Sequence, residues 1–419
     1  MVLGAGVTGI ATAWYLQKAG HRVTVIDRRE GPGLETSYAN GGQISVSHAE
    51  PWAHPRAPLQ LLRWLGREDA PLLFRLRADR AQWRWGLAFL RQCTPGRWRD
   101  NIRQLVALGD YSRSALRELR AETGIQYDQL TRGILHFHTS TASWRAAQRA
   151  AQVMRDAGCA LEAKTAEECV HIEPALAAMR GRIAGGTFSP ADESGDAHRF
   201  TRELAALCAA RGVAFRYGTA IEAVVPGGDQ RIAGVRVRNA DGTMERLEAD
   251  AHVACLGVHS APLLRPLGVH LRIYPVKGYS VTLPLLDPRR AYTVSLTDDE
   301  HKLVFSRFGE RLRIAGTAEF AGYDTALHPA RCAAILRRID ELFPGAGDTA
   351  RPQLWAGLRP ATPSNVPYIG GTRHANLYLN TGHGTLGWTQ ACGAAAALTV
   401  WMSGRRPDVD FSFCGTPPR

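Results

Sequence analysis

The chain has 419 residues, of which 45% are apolar, 21% are charged and 42 are Gly. That is an ordinary globular composition with a glycine excess; it excludes a disordered or collagen-like chain, and the length suits roughly two to three domains. The net charge is +12, carried by 47 Arg and only four Lys (Lys18, Lys164, Lys277 and Lys302). A basic surface attracts anionic substrates, membranes or nucleic acid, but no recognisable nucleic-acid module accompanies it, which disfavours a nucleic-acid partner. No pair among the eight cysteines has CxxC spacing, and neither a zinc site nor a disulfide framework presents itself. The longest apolar helix candidate, Thr389 to Met402, is too short for a bilayer, which takes about 20 residues. With a structural motif beginning at Gly4 there is no room for a signal peptide. A soluble or peripheral protein of a reducing, cytoplasmic compartment is expected.

Val2 and Leu3 read as the end of a strand. Gly4-Ala5-Gly6-Val7-Thr8-Gly9 follows, and then Ile10, Ala11, Ala13, Trp14 and Leu16 fall at helical spacing. Gly20 ends that helix, and residues 21–27 read as a second strand ending in Asp27. Each part answers a physical need. Gly4 makes a tight turn, Gly6 lets the backbone approach a pyrophosphate, and Gly9 lets helix and strand pack closely. The helix N-terminus attracts the phosphates. Asp27, 23 residues after Gly4, stands where a ribose-binding acid belongs. The combination predicts a dinucleotide site and leaves FAD and NAD both open.

The next segment is small, polar and Gly-rich: Glu35-Thr36-Ser37-Tyr38-Ala39-Asn40-Gly41-Gly42-Gln43-Ile44, with Ala49-Glu50-Pro51-Trp52 after it. It resembles the FAD-dependent family that contains D-amino acid oxidase, glycine oxidase and sarcosine oxidase, and within that family most closely the small subunit of the bacterial D-amino acid dehydrogenases. The resemblance implies that Arg28, Ser37, Asn40, Gly41, Gly42, Gln43 and Ile44 pass beside FAD.

Residues 56–103 hold eleven Arg against four acids, with Trp64, Trp83, Trp85 and Trp98 among them. Trp83, Leu87 and Leu90 have helical spacing. Arg with Trp and long apolar residues suits a membrane interface; the alternative is a helix pair with its Trp in the core and its Arg in solvent. Helices are predicted over 105–122 and 142–157, with a strand at 133–138 between them. A helix over 200–210 leads to strands at 213–217 and 220–225, a hairpin over 231–248 and a buried strand ending at Gly257. Residues 271–283 and 293–316 alternate as strands, and 331–343 read as a helix.

Trp355-Ala356-Gly357-Leu358-Arg359-Pro360 matches the Gly-Leu-Arg-Pro element of the same family, which implies that Arg359 pairs with a substrate carboxylate. The planar guanidinium fork suits that task. Where the family usually has Asp-Gly after Thr-Pro, this chain has Ser364-Asn365. A strand over 376–380 then meets Gly382-His383-Gly384-Thr385-Leu386-Gly387-Trp388, and a second helix follows. The resemblance implies that this loop faces the flavin pyrimidine, where a helix N-terminus stabilises negative charge on reduction. His383 as a proton shuttle, Trp388 as a pocket wall, Arg307 as a second carboxylate contact and Tyr279 near flavin or substrate complete the candidates. Each has a plainer alternative as a core or strand residue.

The expected fold is α/β: a Rossmann-like FAD-binding domain (1–48, 186–268 and 352–411) interleaved with an α+β substrate domain built on an antiparallel sheet (49–185 and 269–351). The resemblance implies oxidative deamination of a D-amino acid to a 2-oxo acid and ammonia, with hydride passing from Cα to flavin N5. Electrons would leave to a quinone or other acceptor at the inner face of the cell membrane, and no metal is expected. Two alternatives are an oxidase using oxygen on a D-amino, imino, N-substituted or L-amino acid, and a non-catalytic FAD-binding subunit.

Overall fold

The computed structural model describes residues 1–64, 72–75 and 77–418. Two sheets organise the chain. The first has six strands in the order Tyr368–Gly371, Leu377–Thr381, His252–Ala254, Val2–Leu3, Thr24–Ile26 and Ala214–Arg216. All its pairs are parallel except the one between the first two strands. Its central strands are short and buried on both faces, as parallel strands covered by helices must be. Val7–Lys18, Ala197–Ala210 and Gly387–Met402 supply those helices, and their apolar residues join one core. Small residues let the helices approach: a Cβ on Gly393 would stand 2.5 Å from the Ser112 Cα.

The second sheet has nine strands. Eight run in the order Gln353–Ala361, Tyr274–Pro284, Arg311–Phe320, Leu303–Phe308, Ser295–Asp298, Ile134–His138, Gly185–Ser189 and Glu162–Lys164, and Leu72–Phe74 adds on beside Arg311–Phe320. One of its faces carries a separate core that includes Tyr279, Leu296, Phe305 and Ile335. The segment Gln43–Ile44, paired with Glu193–Ser194, bridges the two sheets.

Segments from distant parts of the chain alternate between the two sheets. Gly185–Ser189 and Gln353–Ala361 pair into the second sheet, so Arg359 belongs to the substrate side and not to the 352–411 dinucleotide segment. Conversely, the helix Pro95–Thr123 sends Leu108, Ala115, Leu116 and Leu119 into the dinucleotide core. Strand membership is decided by partners distant in sequence, which composition does not display.

The helix Arg80–Gln92 divides its apolar residues between two faces. Gln82, Trp85, Ala88 and Phe89 form its buried face, whereas Trp83, Leu87 and Leu90 are exposed. Residues 65–71 and 76 of this Arg- and Trp-rich stretch lie outside the described residues, as does the side chain of Trp64. All eight cysteines are free.

Candidate active site

One cavity of about 2050 Å³ runs between the two sheets. Its first part is a dinucleotide cradle. Gly4 has φ +105°, and a Cβ there would stand 2.7 Å from the Cys255 carbonyl oxygen. A Cβ on Gly9 would stand 1.9 Å from the Gly4 oxygen, so helix and turn touch. No side chain caps the helix at Gly6, which leaves its N-terminal dipole facing the cavity. Ser37 Oγ accepts from the Val7 amide at 3.1 Å and fixes the neighbouring loop. Asp27 accepts from the Ala5 and Arg29 amides at 2.7 and 2.9 Å. Burial pushes its carboxyl up, against the pull of those two amides. Each carboxylate oxygen has two lone-pair sites, so acceptor capacity remains for a ribose hydroxyl. Arg28 and Arg29 both hold Glu35, at 2.7 and 2.6 Å.

The second part is a flat slot between two loops. Gly42 has φ +73°, and a Cβ there would stand 2.1 Å from the Phe308 ring; on Gly41 it would stand 2.4 Å from Val304. Asn40 turns its own loop by accepting from the Gly42 amide, and the Gln43 side-chain amide reaches Ser295 and Leu296. Across the slot, Gly382 and Gly384 have φ +83° and +54°. Thr385, Leu386 and Gly387 lead into the helix Gly387–Met402, again without a side-chain cap. Two uncapped helix N-termini therefore meet one cavity, and glycines clear its walls. The residues fit FAD: the first terminus suits the pyrophosphate, and the second suits charge developing at the pyrimidine end.

The third part holds Arg359. Its strand pairs with Tyr274–Pro284 so that Gly278 lies opposite Gly357. A Cβ on Gly278 would stand 2.4 Å from the guanidinium, so the glycine makes the room that Arg359 occupies. Nη1 donates to the Thr317 carbonyl at 2.8 Å, and no carboxylate among the described residues pairs with the group. Burial alone lowers Arg359 to about 10. An enclosed, unneutralised guanidinium still charged at neutral pH is a site for a carboxylate.

The remaining candidates fall into place unevenly. Gly4, Gly6, Val7, Thr8, Asp27, Arg28, Ser37, Asn40, Gly41, Gly42, Gln43, Gly257, Gly382, Gly384, Thr385, Leu386 and Gly387 line the cavity, with His383 and Arg359. Ala5, Gly9 and Ile44 do not; Ala5 and Ile44 are core residues, and Gly9 serves the helix contact. Arg307 is corrected: it lies outside the cavity and bonds the Gly309 carbonyl. Tyr279 lines the cavity, but its side chain is committed elsewhere. Strand alternation puts its ring on the face away from Arg359, where its hydroxyl donates to Glu319 at 2.5 Å. Trp388 touches the wall, but its indole is committed to the core: it packs on Tyr127 and Phe200 and donates to the Gly195 carbonyl. His383 is buried, and desolvation pushes it down to about 3, so it is neutral at neutral pH. Its Nε2 has no partner in the protein, which suits a hydrogen bond to bound flavin better than proton transfer.

Sequence reasoning missed a support and a chamber. Asp192, fully buried, accepts from the Val46 and Ser47 amides at 3.1 and 3.0 Å and from Ser45 Oγ at 3.1 Å, and so pins the end of the flavin-side loop. Asp192→Ala is expected to destabilise the protein by about 1–3 kcal/mol, because buried amides lose their acceptor. It should also weaken FAD retention; thermal unfolding and cofactor content after gel filtration check both. The chamber is lined by His48, Glu50, His136, Asp299 and Lys302, all on the wall of the same cavity. Two signals were available: His48 and Glu50 directly follow the glycine loop, and Lys302, one of four lysines, closes a charged run at 298–302.

These features define a protein with a dinucleotide cradle that opens onto an enclosed guanidinium. The chain belongs to the family described as FAD dependent oxidoreductase, whose model matches residues 1–401. It is 57% identical over 413 residues to a D-amino acid dehydrogenase of Dechloromonas aromatica, covering 99% of each chain. It is 55% identical over 416 residues to a D-amino acid dehydrogenase of Paramagnetospirillum magneticum, covering 99% of this chain and 97% of the relative. Its fold is similar to that of glycine oxidase from Geobacillus kaustophilus, with a TM-score of 0.72 and 21% identity over 98% of this chain and 95% of that one. L-proline dehydrogenase from P. horikoshii gives a TM-score of 0.74 and 16% identity over 98% and 94%.

Proposed function

We propose that the chain is an FAD-dependent D-amino acid dehydrogenase, which converts D-amino acids to 2-oxo acids and ammonia. The unneutralised guanidinium of Arg359, enclosed beside a cradle that fits FAD, carries this reading. The high identity to D-amino acid dehydrogenases over almost the whole chain supports it. When bound, FAD would supply the two-electron acceptor for the hydride lost from the substrate Cα. The chain does the rest. Arg359 holds the carboxylate in a planar fork, Thr317 fixes the guanidinium, and Gly278 leaves the room that the guanidinium occupies. Fixing Cα in this way is the main catalytic contribution, because a held geometry replaces a costly encounter. The uncapped helix at Gly387 would stabilise negative charge on the bound, reduced cofactor. The product imine leaves to hydrolyse in water.

The acceptor in this reading is a quinone or similar carrier met at a membrane surface. No helix among the described residues is long and apolar enough to cross a membrane. Instead, Leu59, Trp83, Leu87 and Leu90 stand 65%, 53%, 58% and 48% exposed at the cavity mouth. Arg80, Arg84 and Arg91 lie on the same helix as three of them. Apolar rings and cations side by side suit an anionic bilayer surface. The wild type is expected to float with anionic liposomes at low salt, and Trp83→Ser with Leu87→Ser to abolish flotation. Flotation that persists in the double variant would move the contact elsewhere. In turnover assays a quinone analogue should support turnover well beyond oxygen alone. Stoichiometric peroxide in air, without stimulation by the quinone, would make the protein an oxidase.

A further inference from the structure

The Arg359 guanidinium sits at the end of a flexible stem, over a glycine that leaves it room. Among the described residues the Thr317 carbonyl is its single hydrogen-bond acceptor, at 2.8 Å. A planar fork serves a carboxylate only when its plane is set. The direction of that one carbonyl therefore decides the aim of the anchor.

The direction comes from a break in the sheet. Where Tyr274–Pro284 pairs with Arg311–Phe320, Lys277 stands opposite Glu319 and Tyr279 opposite Gly316. Thr317 and Ala318 thus share Gly278 as their one opposite residue, which is a β-bulge. A bulge leaves its extra residue out of the ladder and frees a carbonyl that a regular strand would commit to its neighbour. The Thr317 amide is tied down separately: it donates to the Lys302 carbonyl at 3.2 Å.

Threonine is ill suited to this place. Thr317 has φ +54°, in the left-handed region. Glycine is the ordinary occupant of that region in a bulge, and a β-branched residue there is strained. Six described residues other than glycine have positive φ; Thr317 is the one β-branched residue among them and the one inside a strand. Its hydroxyl adds a second cost, because Oγ1 is buried without a hydrogen-bond partner. Backbone strain of this kind persists where the surroundings impose it, and it gathers at ligand clamps. Thr317 lines the cavity beside the guanidinium that it holds.

We infer that Thr317 is a positioning residue for the carboxylate anchor: its strained, left-handed backbone turns a carbonyl out of the ladder and fixes the plane of the Arg359 guanidinium. This rests on the reading of Arg359 as that anchor. The consequence is a trade of stability against aim. Glycine at position 317 would relieve the strain and remove the orphaned hydroxyl. Its wide range of backbone angles would also let the carbonyl swing, and the guanidinium with it.

The test uses the FAD-loaded enzyme and follows stability and anchoring separately. Thr317→Gly should hold the thermal midpoint or raise it by about 1–2 °C. The same variant should lose about tenfold or more in kcat/KM for D-alanine, with kcat falling as well as KM rising, because a misplaced anchor misplaces Cα. Its affinity for propionate, read from the change in flavin absorbance without turnover, should weaken alongside. Thr317→Val, the conservative variant, keeps the branched side chain and its backbone constraint, and should recover most of both losses. FAD content is measured throughout. A midpoint and a kcat/KM that fall together in Thr317→Gly would make the residue merely structural and overturn the inference. So would a kcat/KM within about twofold of wild type, or a Thr317→Val variant that loses as much as Thr317→Gly, which would shift the role to the hydroxyl. Arg359→Ala in the same titration separates the two levels. If it abolishes propionate binding while Thr317→Gly keeps it, the inference alone fails. If Arg359→Ala binds propionate like wild type, the anchor reading fails as well.

Discussion

Arg359→Ala is expected to raise KM for D-alanine strongly and to lower kcat with it. The guanidinium is enclosed, held by Thr317, and free of any competing carboxylate among the described residues. A hydrogen bond between charged groups contributes roughly 1.5–3 kcal/mol, so kcat/KM should fall about 10- to 150-fold. The fall in kcat follows because the carboxylate anchor also places Cα. FAD content should stay near wild type, since the cofactor cradle is built from other segments. Arg359→Lys keeps the charge but loses the fork, and an intermediate loss is expected. Turnover within about twofold of wild type in Arg359→Ala would place the anchor elsewhere, at another of the cations on the cavity wall.

Gly9→Val is expected to yield a colourless, destabilised protein. A Cβ at this position would stand 1.9 Å from the Gly4 carbonyl oxygen and 2.9 Å from its carbon. Backbone gives way only by moving the helix Val7–Lys18 off the strand Val2–Leu3, and that movement dismantles the phosphate cradle. Overpacking of this kind costs typically about 1–3 kcal/mol in stability, and the loss of cofactor adds the stabilisation that bound FAD contributes. Flavin absorbance per protein after gel filtration, with thermal unfolding alongside, reads both effects. A yellow Gly9→Val protein with an unchanged midpoint would contradict the assignment of Gly4–Gly9 as the cradle.

What could be read from the sequence was what local rules write. The Gly4-to-Gly9 fingerprint, the Gly382-to-Gly387 loop and the glycines around Arg359 are short-range solutions to backbone approach, and each stands at the cavity. The hairpin Ile232–Arg238 with Met244–Leu247 was legible from its turn residues for the same reason. What escaped was fixed by partners far along the chain. Arg307 and Lys302 lie five residues apart, yet only Lys302 faces the cavity, because the turn between Asp298 and Leu303 aims it there. Asp192 acts on amides 145 and 146 residues away in sequence. Trp83, Leu87 and Leu90 have the spacing of a core stripe, but Trp85 and Phe89 pack against Tyr274 and Phe320 and turn that stripe outward. Periodicity identifies a helix and its faces; which face is buried depends on what lies opposite.

The most direct test of the central claim is the anaerobic addition of D-amino acids to the purified yellow protein, followed by flavin absorbance. The account predicts rapid bleaching by D-amino acids such as D-alanine, with an equivalent amount of 2-oxo acid formed and no bleaching by the L-enantiomers. Flavin that stays oxidised with every D-amino acid tried would contradict it and leave a cofactor-binding subunit. Bleaching by L-amino acids instead would contradict the assigned handedness.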